Sequence, residues 1–185
     1  MEFRLKTPLS TEDVLSLQAG DLIWISGTVY TARDKVHTLL RSTGGLPVDL
    51  GGSAIYHCGP LIQGDEVISA GPTTSSRMTR YTQEVVDKGV KVIIGKGGIS
   101  EATEFLKGKA AYLAYPGGCG ALAARRLKIK GIHYSEMGMA EALWVLDAKN
   151  FGPMIVAIDS KGRDLYQEVK QSAEETLKEM LKNRQ

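Results

Sequence analysis

From about residue 65 onward, short apolar runs alternate with stretches of helical spacing. No other feature of this chain constrains its fold as much. Residues 66–70, 90–94, 110–115, 129–134 and 154–159 read as strands, several of them β-branched and apolar enough to be buried. Between them, 75–88, 100–107, 121–127 and 140–146 read as helices. In the first of these, Met78, Tyr81, Val85 and Val86 fall at helical spacing. Strands alternating with helices predict an α/β layer fold with a largely parallel sheet. Upstream, Ser10 caps a short helix through Asp13, Val14, Leu15 and Leu17, while 22–29 reads as a buried strand, 32–40 as a helix and 53–57 as a further strand. The stretch 164–181 is an amphipathic helix, because Leu165, Val169, Ala173, Leu177 and Leu181 recur at every fourth position.

A chain of 185 residues suits one domain, residues 1–185, with a sizeable core. A net charge of +2 leaves no nucleic-acid or membrane footprint, and no stretch has the apolar length of a membrane span. Residues 1–6 carry no apolar signal core, so a cytoplasmic protein is the expectation. The two cysteines, Cys58 and Cys119, are expected to be reduced. They are too few to supply the thiolates that normally hold an iron–sulfur cluster.

In open α/β sheets ligands gather at the loops after strand C-termini, so those loops locate the candidate chemistry. Gly71-Pro72-Thr73-Thr74-Ser75-Ser76-Arg77-Met78 joins a strand to a helix. Its hydroxyls suit a helix cap or an anion held at a helix N-terminus. Four consecutive hydroxyl residues with Arg77 exceed what a cap requires, and a guanidinium fits a carboxylate through two hydrogen bonds. Gly95-Lys96-Gly97-Gly98 follows the 90–94 strand and lacks the spacing of a Walker A loop; alone it reads as a turn with a solvated lysine. Arg33, in Gly27-Thr28-Val29-Tyr30-Thr31-Ala32-Arg33-Asp34, shares a helical face with His37 or pairs with Asp34 or a neighbour. In Tyr56-His57-Cys58-Gly59-Pro60, His57 is a candidate acid or base, and Cys58 reads as structural. Cys119, in Pro116-Gly117-Gly118-Cys119-Gly120, reads as a small buried thiol at a tight turn. Together Arg33, Arg77 and Lys96 place three cations after three strands, a pattern that suits a small dianion such as a dicarboxylate.

The ordered set Gly-Thr-Val-Tyr-Thr-Ala-Arg-Asp-x-x-His (27–37), Tyr-His-Cys-Gly-Pro (56–60), Gly-Pro-Thr-Thr-Ser-x-Arg-Met (71–78), Gly-Lys-Gly-Gly (95–98) and Met-Gly-Met-x-Glu-Ala-x-Trp (137–144) covers nearly the whole chain. It resembles the β subunit, or C-terminal domain, of class I fumarate hydratases and L-tartrate dehydratases. The resemblance implies a three-layer swivelling β/β/α domain. It also implies the reversible dehydration of (S)-malate to fumarate, with a [4Fe–4S] cluster held by cysteines of a partner α subunit and none held by this chain. Carried over, Arg33, Arg77 and Lys96 match carboxylate-binding cations. Thr73 matches a threonine proposed as the base, and Thr74 a neighbouring substrate contact. Assembly with the cluster-bearing α subunit is implied, and a β–β contact is a further expectation. Stand-alone activity is not expected. Two other readings stay open: a non-catalytic anion-binding domain, and an α/β domain whose cations only form surface pairs.

Overall fold

Residues 22–31 are alternately buried along their length, and in the computed structural model, which describes residues 1–182, they form the long strand β2 (Leu22–Thr31). β1 (Glu2–Lys6) pairs parallel with its first half, Leu5↔Ile25 among the partners. Ser10 caps α1 (Thr11–Leu15) through a reciprocal box with Asp13. Then follow α2 (Asp34–Thr43), β3 (Ala54–Tyr56), the hairpin strands β4 (Leu61–Gln63) and β5 (Glu66–Ser69), a 3₁₀ turn over Ser75–Tyr81, and α3 (Thr82–Asp87). After these come β6 (Val92–Gly95), α4 (Thr103–Leu106), β7 (Ala111–Ala114), α5 (Gly120–Ala124), β8 (Leu127–His133), β9 (Leu143–Ile158) and α6 (Leu165–Lys182).

The fold is mixed α/β with a mostly parallel central sheet in the order β1-β2-β3-β6-β7-β9-β8. Strands β1, β2, β3, β6 and β7 run parallel. Strand β9 runs against them and pairs with β2 along one edge (Thr28↔Asp147, Leu22↔Ile155). Along its other edge it pairs first with β8 and then with β7 (Ala114↔Ile155). The pairing β2-β3-β6-β7-β9-β2 therefore closes on itself.

This corrects the expected helix over 140–146. Leu143, Trp144, Val145 and Leu146 form a continuous apolar run whose period does not choose between helix and strand. Pairing with β2 and β8 decides it, and the expected 154–159 strand is the far end of the same 16-residue element. The expected helix over 75–88 is likewise shorter, being a 3₁₀ turn followed by α3.

Period-2 alternation sends side chains to two cores. Ala54, Tyr56, Val92, Ile94, Ala111 and Leu113 join Ile23, Ile25, Phe151 and Val156 on one face of the parallel strands. Ile55, Ile93 and Tyr112 meet Val36 and Leu40 of α2, Val85 and Val86 of α3 and Leu106 of α4 on the other. Asp164 immediately precedes α6, its Oδ1 accepting the Tyr166 N–H at 2.8 Å, and Val169, Leu177 and Leu181 of the apolar stripe stay exposed. Among the described residues, no helix is long and apolar enough to cross a membrane.

Candidate active site

Three parallel strands end side by side, and their following loops are stitched together by backbone bonds. Beyond β3, the His57 carbonyl accepts the Thr73 N–H at 2.7 Å, and Cys58 forms a bridge to Pro72. Beyond β6, Lys96 N–H donates to Thr73 O at 3.2 Å, and Ser75 N–H donates back to Lys96 O at 3.0 Å. Loops far apart in sequence thus form one surface, and it carries Thr73, Thr74, Arg77 and Lys96. Thr74 is the residue before the 3₁₀ turn and makes no side-chain cap bond, so its exposed hydroxyl is not used as a cap.

Arg77 reaches back over this surface. Its Nη2 donates to Thr73 Oγ1 at 2.8 Å and stands 3.6 Å from Asp34 Oδ2 at the start of α2. Arg77 and Asp34 are 48% and 40% exposed, so this ion pair is weak and a ligand carboxylate can compete for the guanidinium. Among the described residues, Lys96 Nζ forms no ion pair. Its side chain runs past Gly117 in the loop after β7, within 3.6 Å of where a Cβ there would stand.

Arg33 precedes α2 and lies across the loop after β3. A Cβ on Gly59 would stand 2.8 Å from Arg33 Nη1 and 2.7 Å from the Ala140 carbonyl, so only glycine lets the guanidinium pass. Arg33 Nε lies 3.2 Å from Glu141 Oε1, without hydrogen-bond alignment. Glu141 Oε2 accepts the Lys35 N–H at 3.0 Å, and Trp144 Nε1 donates to Met139 O at 2.8 Å. These bonds explain the Met137–Trp144 motif: it folds a segment onto the start of α2 and sets the far side of Arg33. Sequence reasoning missed both acidic partners. The signal for Glu141 was its place in that motif.

Two histidines sit beneath. Burial holds His57 well below its ordinary pKa range, with His37 and Arg77 adding to the effect, so it is neutral. His37 is also buried, stacked on Tyr81 and edge-on to His57, and burial lowers it to about 4 against the pull of Asp34 and Glu84. His57 therefore faces the interior, away from the position expected of an acid or base on this surface. The Cys58 thiol is buried and pushed up to about 12 by desolvation, only partly offset by Arg33, as a structural thiol should be. Cys119 is half-buried rather than buried, and both cysteines are free.

The donor set does not fit an iron–sulfur cluster. Such clusters take three or four thiolates. This chain has two cysteines, and among the described residues no three His, Cys, Asp or Glu side chains converge as ligands.

The model of the family described as fumarase C-terminus matches residues 1–169. The chain belongs to the fumarase C-terminus family. It is 43% identical over 175 residues to L(+)-tartrate dehydratase subunit beta of Escherichia coli (strain K12), covering 90% of this chain and 87% of that protein. A protein of Methanocaldococcus jannaschii, provisionally named L(+)-tartrate dehydratase subunit beta, is 41% identical over 188 residues, covering 94% of this chain and 95% of its own length. A protein of Geobacillus stearothermophilus, provisionally named a class I fumarate hydratase, is 37% identical over 182 residues, covering 94% of this chain but 35% of that protein. In this fumarase C-terminus fold, Arg33, Thr73, Thr74 and Lys96 come from loops after strands, and Arg77 from the 3₁₀ turn that follows one of them.

Proposed function

We propose that residues 1–185 act as one swivelling β/β/α domain, the β subunit of a cytoplasmic hydro-lyase that reversibly dehydrates a four-carbon hydroxydicarboxylate, (S)-malate to fumarate. L(+)-tartrate is the second substrate reading, favoured by the 43% identity to a β subunit named for it. The single observation that carries the proposal is the meeting of Arg77, Thr73 and Lys96 on one surface, with Arg33 at its side. The two cores on opposite faces of the parallel strands support the layered reading.

In this proposal Arg33 and Arg77 hold the substrate carboxylates in forked hydrogen bonds, Lys96 adds a point charge and Thr74 a hydroxyl contact. Removing a proton beside a carboxylate builds negative charge on that carboxylate, and fixed cations stabilise it without reorganising. Thr73 Oγ1 takes that proton in its ionised form, having first released its own hydroxyl proton to solvent, and becomes a neutral hydroxyl. A threonine hydroxyl is a poor base on its own, and the Arg77 N–H bonded to its oxygen favours the ionised form. The [4Fe–4S] cluster is assigned to a partner α subunit, since the ligand set of this chain does not fit it.

The test is kinetic, on this chain assembled with a cluster-bearing α subunit. Arg33→Ala, Arg77→Ala and Lys96→Ala are expected to raise KM, and Thr73→Ala to lower kcat mainly. Wild-type kinetics in all four would remove these loops from the site. Dicarboxylate binding with no turnover in any assembly would favour the non-catalytic anion-binding reading.

A further inference from the structure

Lys96 stands on a loop that its own sequence leaves loose. Lys96 and Gly97 are exposed, Gly97 sits at φ +69°, and the chain is buried again only at Ile99. Two glycines in a row after a lysine make a hinge unless other groups fix it. On the near side, Thr73 O and the Ser75 N–H hold the Lys96 backbone. On the far side, the hold comes from the next strand.

Tyr112 of β7 is fully buried, in the core shared with Ile55, Ile93 and Leu106, where a phenylalanine would fill the same space. Its hydroxyl donates to the Gly97 carbonyl at 2.8 Å. A carbonyl has no proton to give, so the direction of this bond is fixed. Burial pushes the pKa of the phenol up, so it stays a donor through neutral pH. A side chain rooted in the core thus commits its one proton to an exposed loop. The loop is closed from outside as well. A Cβ on Gly98 would stand 3.2 Å from Tyr166 Cδ2, in the first turn of α6. The end of β7 adds a third tie, since Tyr115 N–H donates to Gly95 O at 2.8 Å.

We propose that Tyr112 is a positioning residue for Lys96. Its bond to the Gly97 carbonyl stops the Gly97–Gly98 hinge from swinging and keeps the ammonium on the surface that carries Thr73 and Arg77. Tyr112 is too deeply buried to meet a substrate, so it acts only through the loop. Its effect on turnover rests on the hydro-lyase reading; the clamp itself does not.

Tyr112→Phe removes the hydroxyl and leaves the ring in the core. The freed Gly97 carbonyl lies in an exposed loop and turns to water, so the variant should fold. The first arm is limited trypsin digestion of this chain, read by mass spectrometry. One net hydrogen bond corresponds to roughly a 2- to 12-fold change in local opening, so cleavage after Lys96 should speed up by that factor. Cleavage after Lys161, an exposed lysine that also precedes a glycine, should not change. Unchanged cleavage after Lys96, or equal acceleration at both sites, would overturn the proposal. If the variant does not fold, proton NMR of the wild-type chain decides: a slowly exchanging Tyr112 hydroxyl proton close to Gly97 and Gly98 is expected, and its absence would overturn the clamp. The second arm is turnover by the assembled complex. Tyr112→Phe should raise KM by a similar factor and leave kcat nearly unchanged. In a Lys96→Ala background it should add nothing, because the group it positions is gone. Wild-type KM, or losses that multiply in the double variant, would contradict a role through Lys96. If no hydroxydicarboxylate is turned over, the hydro-lyase reading falls and the trypsin result alone decides the clamp.

Discussion

Arg77 Nη2 donates to Thr73 Oγ1 at 2.8 Å, so the guanidinium and the hydroxyl four residues before it work as one unit. A hydrogen bond involving a charged group contributes about 1.5–3 kcal/mol, so Arg77→Ala should lower kcat/KM by roughly 10- to 150-fold. Because the proposed site puts Arg77 against a substrate carboxylate as well as Thr73, both KM and kcat should move. The variant lacking both groups should fall short of the summed losses by about 1 kcal/mol, read from a double-mutant cycle in the assembled enzyme.

Gly95 closes β6 directly beneath Ser75. A Cβ at this position would overlap Ser75 Oγ, and Ser75 is held in place by His57. Gly95→Ala should cost about 1–3 kcal/mol by overpacking, measured by urea denaturation. Its effect on turnover should exceed its effect on stability, because the displaced Ser75 carries the Thr73 and Lys96 loops with it.

The buried His37 makes stability depend on pH. Its pKa in the fold is lowered from 6.5 to about 4, so between these values the unfolded chain binds more protons. The contribution is fully present above pH 6.5 and is lost as pH falls toward 4. The loss is about 3 kcal/mol for a shift of this size. Denaturation midpoints measured across this window should fall with acid, and His37→Phe should flatten the slope.

Thiol chemistry should separate the two cysteines. Cys58 is buried with its pKa pushed up to about 12, whereas Cys119 is half-buried. In the native chain at neutral pH, iodoacetamide should modify Cys119 and spare Cys58, as read by peptide mass spectrometry. Equal labelling would contradict the structural role of Cys58.

The parallel strands β2, β3, β6 and β7 were legible because their apolar runs fall between turn residues. The α6 helix was legible from its fourfold spacing. β9 was not, because residues 143–146 are apolar without a decisive period. Its state depends on partners such as Thr28↔Asp147, more than a hundred residues apart. Closure of the sheet was hidden for the same reason. β1 was missed although Phe3 and Leu5 alternate, because the run is only five residues long. The loops bearing Arg33, Thr73, Thr74, Arg77 and Lys96 were found from strand-end position and motif, and the fold brings them to one end of the sheet. The contacts of Arg77 with Asp34, Arg33 with Glu141 and His57 with Ser75 were not legible, since each joins loops that only the tertiary fold makes neighbours.

The central claim is that this chain supplies the cations and the hydroxyl of a site completed by a second subunit. The most direct measurement is anaerobic assembly with a cluster-bearing α subunit, assayed with (S)-malate and L(+)-tartrate against each subunit alone. Turnover of at least one substrate by the assembly, and by neither subunit alone, is predicted. Full turnover by the iron-free chain alone, or an assembled complex inactive on both acids, would contradict it.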